Sequence, residues 1–111
     1  MKNSENSNKP AIMSPQEAYQ AMKEPNPYVL LDVRSLSEYR EIRIGGANLI
    51  PLGELSSRAP LELLGKNVPI YVYCRSGARA GKAAQLLAEM GYERVYDIGG
   101  IANWPYETIK G

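Results

Sequence analysis

The sequence predicts an α/β domain: a central, mainly parallel five-stranded sheet flanked by helices on both faces. Three observations lead there. Tyr28-Val29-Leu30-Leu31-Asp32-Val33 and Val68-Pro69-Ile70-Tyr71-Val72-Tyr73 are nearly continuous apolar runs, the pattern of strands covered on both faces. Candidate strands alternate with helical patterns along the chain, which favours parallel crossovers. No internal repeat or linker divides the 111 residues. Residues 11–111 therefore read as a single domain, and the polar residues 1–10 as a disordered lead-in.

Each element has a local reason. Ala11-Ile12-Met13 is a candidate short first strand. Ser14-Pro15-Gln16-Glu17 has the form of a helix start: Ser14 caps, Pro15 suits the first helical position and Glu17 closes a capping box. Ala18, Ala21 and Met22 give that helix a buried face, and Pro25-Asn26-Pro27 ends it. After the Tyr28–Val33 strand, Ser35-Leu36-Ser37-Glu38 repeats the capping-box form and opens a short helix to about Ile42. Gly45-Gly46 marks a turn, Asn48-Leu49-Ile50 a short strand, and Pro51 the start of another helical piece. Ala59 to Gly65 reads as one helical turn closed by Gly65. Past the Val68–Tyr73 strand, Ala83, Leu86, Leu87 and Met90 follow the i, i+3, i+4, i+7 spacing of an amphipathic helix, with Gly91 as its C-terminal cap. Arg94–Asp97 is the last strand, Gly99-Gly100 a turn, and Ile101–Trp104 a final helical turn over the core.

Composition narrows the chemistry. A net charge of +1 makes no electrostatic case for nucleic acid or an anionic membrane. No apolar run approaches the length of a membrane span. The N-terminal residues lack the apolar middle of a secretory signal, so the expected location is cytoplasmic. There is no histidine and only one cysteine. A Cys-His pair, a Ser-His-Asp triad, a His or Cys metal site and a Cys-x-x-Cys redox pair are all excluded. The expectation is chemistry without a metal or cofactor.

The remaining cysteine, Cys74, stands where a thiol is readily activated. It follows the apolar Val68–Tyr73 strand and precedes Arg75-Ser76-Gly77-Ala78-Arg79 and a helix. Ligands of open parallel sheets bind at the carboxyl ends of strands. Backbone N–H groups of a tight loop converge on an anion, Gly77 permits the dihedrals this needs, and the following helix aims its positive end there. Arg75 and Arg79 add charge, and Arg79 is suited to hold two oxygens of an anion. Together these favour a thiolate, which needs no general base. A lone cysteine is more often an inert core thiol, but a structural cysteine has no use for a glycine and two arginines within five residues.

On these residues the chain resembles the rhodanese domain family, in its single-domain thiosulfate sulfurtransferase form. Leu31-Asp32-Val33-Arg34 with Glu38-Tyr39 is similar to the family's Asp-Val-Arg…Glu-Tyr segment. Ile44 to Leu52 resembles its Gly-Ala…Ile-Pro segment, Tyr73 to Arg79 its active-site loop, and Gly99-Gly100 with Trp104 its closing motif. The likeness runs from about Ile12 to Trp104. There are departures. Arg43 stands where the family has His, Ile42 and Gly45 replace its Gly and Pro, and Ala80 follows the loop where Ser or Thr is common. The resemblance implies a rhodanese-like fold and a two-step reaction. Cys74 would take sulfane sulfur from thiosulfate or a persulfide, then pass it to cyanide or a small or protein thiol. Arg75 and Arg79 would suit the sulfite or thiosulfate.

Asp32 ends a strand and reads as a buried anchor bonded to backbone or Arg. Arg34 and Glu38, four apart near a helix start, are expected to pair with each other. Tyr71 and Tyr73 share a strand face and read as packing, and Trp104 as a lid on the core. Two other functions compete. One is a non-catalytic module that docks a partner protein or senses oxidants. The other is a phosphatase or arsenate reductase, although Cys74 to Arg79 is one residue shorter than the Cys-x5-Arg loop those reactions use.

Overall fold

The structure, a computed structural model, describes residues 9–111. The lead-in expected over residues 1–10 therefore lies outside the described residues, Lys9 and Pro10 apart. In chain order the elements are β1 (Ala11–Ile12), α1 (Pro15–Lys23), β2 (Val29–Asp32), α2 (Leu36–Glu41), β3 (Ile42–Arg43), β4 (Asn48–Leu49), a 3-10 turn (Leu52–Glu54), α3 (Leu55–Glu62), β5 (Ile70–Cys74), α4 (Ala78–Glu89), β6 (Val95–Gly100), a second 3-10 turn (Ile101–Asn103) and β7 (Ile109–Lys110).

Five strands form one sheet in the order β1-β6-β5-β2-β4, with every neighbouring pair parallel. This places β5 in the middle and its last residue, Cys74, at the centre of the sheet's carboxyl edge. Both predicted capping boxes form. Ser14 Oγ accepts from the Glu17 amide at 3.0 Å and Glu17 accepts in return from the Ser14 amide; Ser35 and Glu38 do the same.

Strand alternation divides the core into two layers. Leu31, Ile70, Val72 and Cys74 face α3 and α4, where Leu55, Ala59, Ala83 and Leu87 are buried. Leu30, Tyr71 and Tyr73 face the other way, onto Ala18, Ile98 and the half-buried Trp104. Tyr71 and Tyr73 thus share a packed face, as the two-residue period of a strand requires.

Several boundaries differ from expectation. The buried stripe of α4 is Ala80, Ala83, Ala84, Leu87 and Ala88, while Leu86 and Met90 are only partly buried. Alanines let the helix axis approach the sheet closely, so the face turns toward the smallest side chains. α3 begins at Leu55 and ends at Glu62 with Pro60 inside it, rather than forming one turn closed by Gly65. Gly99 and Gly100 lie within β6 rather than in a turn after it. A small antiparallel ribbon of β3 and β7 was not anticipated, because two-residue strands carry no readable periodicity.

Candidate active site

The site is built where β5 gives way to α4. Cys74 closes the strand and Gly77, at φ +111°, is the residue from which α4 starts. A side-chain-bearing residue is strained at that φ. The turn this makes brings the Gly77 amide to the Cys74 sulfur, with N–H donating to Sγ at 2.9 Å. The outer wall of the loop is fixed from the end of β6 and the 3-10 turn that follows it. The Arg75 carbonyl accepts from the Ala102 amide at 3.3 Å. A Cβ added at Gly100 would lie 2.2 Å from that carbonyl oxygen and 2.6 Å from Ser76 Cα. Only glycine fits there, so Gly100 belongs to the architecture of the loop. Its signal was present in the sequence as Gly99-Gly100, but the contact it serves is to a residue 25 positions earlier in the chain.

The sequence sets Cys74 at a strand's carboxyl end, where a ligand would reach it; in the structure its residue is 1% exposed, beneath the loop. The reason is register. Every residue of β5 is buried, and Cys74 points to the α4 side together with Ile70 and Val72. Arg75, Ser76 and Ala78 are exposed above it, and Gly77 and Arg79 are half-buried. Ala80, where a hydroxyl residue is common in the family, is fully buried against the same layer.

The charged residues divide differently from the sequence reading. Arg34 does not pair with Glu38. It folds back onto Asp32: the Arg34 amide and Nε donate to Oδ1 at 2.9 and 3.0 Å, and Nη2 donates to Oδ2 at 2.7 Å. Asp32 is 0% and Arg34 2% exposed. Arg34 also donates to the Ile42 carbonyl, tying the end of β2 to β3, and lies 5.5 Å from the Tyr73 ring centre. A two-residue spacing at a strand end allowed this return, while α2 turned Glu38 toward the Cys74 loop.

Glu38 instead meets Arg79 in a two-pronged pair, with Nη1 donating to Oε1 at 2.8 Å and Nη2 to Oε2 at 2.9 Å. The Arg79 guanidinium pulls the Glu38 carboxyl from 4.5 to about 2, against a smaller opposing effect of burial, with help from the Ser35 amide. The same pairing raises Arg79 above its ordinary value. Arg79 therefore stands as a brace from α4 to α2, with both outer nitrogens occupied. Arg75 makes no side-chain hydrogen bond or ion pair among the described residues and is exposed directly beside Cys74. Behind the site the Tyr73 hydroxyl accepts from the Ile44 amide at 3.1 Å, and burial pushes that phenol well above its usual range.

A parallel sheet whose central strand hands one cysteine to a glycine-opened loop and a helix defines a cysteine-loop α/β domain. The family model described as "Rhodanese-like domain" matches residues 14–106, and the chain belongs to that family. It is 36% identical over 81 residues to the thiosulfate sulfurtransferase PspE of Escherichia coli, covering 73% of this chain and 78% of that one. It is 34% identical over 89 residues to the thiosulfate sulfurtransferase GlpE of Coxiella burnetii, covering 79% and 80%. The rhodanese-like domain of the Anabaena Alr3790 protein, solved by NMR, superposes with a TM-score of 0.81 at 30% identity, over 90% of this chain and 79% of that one. The fold is rhodanese-like, and sulfur transfer is the activity at the level of the family. Among the described residues no helix is long and apolar enough to cross a membrane.

Proposed function

We propose that the chain moves sulfane sulfur from thiosulfate, or from a persulfide donor, to cyanide or a thiol through a persulfide on Cys74. The observation that carries this reading is the Gly77 amide aimed at Sγ from 2.9 Å. An N–H so placed favours negative charge on that sulfur and on the persulfide that succeeds it. In the first step the Cys74 thiolate attacks the sulfane sulfur. A new S–S bond forms, the donor's S–S bond breaks, and its electron pair leaves with sulfite when the donor is thiosulfate or with a thiolate when it is a persulfide. In the second step the acceptor attacks the outer sulfur and the electron pair of the Cys74 S–S bond returns to Sγ. Arg75, exposed and unpaired among the described residues, meets the anionic donor, while the Arg79–Glu38 brace holds the start of α4 so that the loop amide stays on the sulfur. The reaction suits the cytoplasm, where thiol acceptors are kept reduced.

Thiocyanate release from thiosulfate and cyanide tests this. Wild type should turn over and Cys74→Ser should not. Equal rates for the two, or no turnover by wild type with either thiosulfate or a persulfide donor, would remove the reading in favour of a docking or sensing module.

A further inference from the structure

A cleft of about 240 Å³ opens beside the Cys74 loop, between the ends of β1 and β6. Ile12, Met13 and Gly99 give it apolar walls, and Gly77, the residue whose amide reaches Sγ, forms its inner side. Among the described residues that line it, one carries a charged side chain, Asp97. That carboxylate is held in place: its Oδ1 accepts from the Gly99 amide at 2.9 Å. Its Oδ2 lies toward Gly81 of α4, and the residue as a whole is half-buried. Among the described residues no Lys or Arg pairs with Asp97. Asn103, exposed at the rim, adds a polar side chain.

The two flanks of the loop thus differ in sign. Arg75 stands exposed on the loop itself, and Asp97 lies in the cleft. An anionic donor is drawn to the first and repelled by the second. The cleft fits the other substrate, and its volume of about 240 Å³, below the roughly 300–1,000 Å³ of ordinary ligand pockets, suits a small molecule. Resting on the sulfurtransferase reading above, we propose that this cleft is the acceptor subsite and takes a small aminothiol, its ammonium group on Asp97 and its sulfur toward the Cys74 loop. The acceptor thiolate attacks the outer sulfur of the Cys74 persulfide and leaves as a small persulfide. The Sγ thiolate is regenerated, the proton of the incoming thiol goes to solvent, and no outside oxidant or reductant is needed.

The test loads wild type with sulfur from thiosulfate, confirms the adduct by intact mass, and then measures kcat/KM for two acceptors of equal length, cysteamine and 2-mercaptoethanol. Asp97→Asn keeps the oxygen that accepts from Gly99 and removes the charge. The cysteamine-to-mercaptoethanol ratio should fall about fivefold in the variant, the scale of a partly solvated ion pair. An unchanged ratio, whether both rates fall together or neither moves, would overturn the assignment. Should the variant not fold, wild type alone decides: the ratio should drop as salt is raised, and a salt-independent ratio overturns the proposal. Failure of the sulfurtransferase reading would show earlier and separately, as no adduct on wild type.

Discussion

Glu38→Gln isolates the charge on the brace beside the Cys74 loop. Glutamine keeps an oxygen for the Ser35 amide, so the capping box survives, while the carboxylate that grips Arg79 is lost. The lowering of the Glu38 carboxyl from 4.5 to about 2 sets a ceiling of about 3.4 kcal/mol at 1.36 kcal/mol per pH unit. The side chains of Glu38 and Arg79 are 24% and 38% exposed, so solvent screening reduces this to about 1–2 kcal/mol. A carboxylate with a depressed folded-state value stabilises fully above its unfolded value near 4.5, and the contribution is lost as pH falls toward 2. Urea unfolding should therefore show wild type about 1–2 kcal/mol more stable than Glu38→Gln at pH 7, with the gap narrowed by roughly 60–80% at pH 3.5. Equal stability at pH 7, or a gap that does not shrink on acidification, would refute the brace.

Two further outcomes follow from the same geometry. Asp32→Asn leaves Arg34 buried without its counter-charge, and unfolding free energy from urea titration should fall by about 3–5 kcal/mol; a loss under about 1 kcal/mol would mean that the pair is not held dry. Gly100→Ala drives a methyl group into the Arg75 carbonyl, so stability should drop by about 1–3 kcal/mol and sulfur loading of Cys74 should slow several-fold in a timed mass assay. Loading at the wild-type rate would show that the β6 wall does not set the shape of the loop.

The elements legible in the sequence were those with strong local signals. The apolar runs became β2 and β5, the two Ser-x-x-Glu motifs became α1 and α2, and Gly77 opened the turn to α4. What stayed hidden was long-range or geometric. Whether Glu38 would face Arg34 or Arg79 depends on how α2 packs against α4, 41 residues apart in the chain for the pair that forms. Arg79 read as an anion-holding group because nothing local announces Glu38 as its partner. The burial of Cys74 follows from one residue of strand register: the last residue of β5 still belongs to the sheet. Gly100 showed itself as a glycine, but the carbonyl it makes room for comes from another strand's loop.

On the proposed reading, Cys74, under a loop amide aimed at its sulfur, accepts and holds a single sulfur atom. Intact mass after incubation with thiosulfate tests it most directly. Wild type should gain one sulfur, lost again on adding cyanide, and Cys74→Ser should gain none. A wild-type protein that takes up no sulfur from thiosulfate or from a persulfide donor, or a Cys74→Ser protein that gains it as well, would contradict the account.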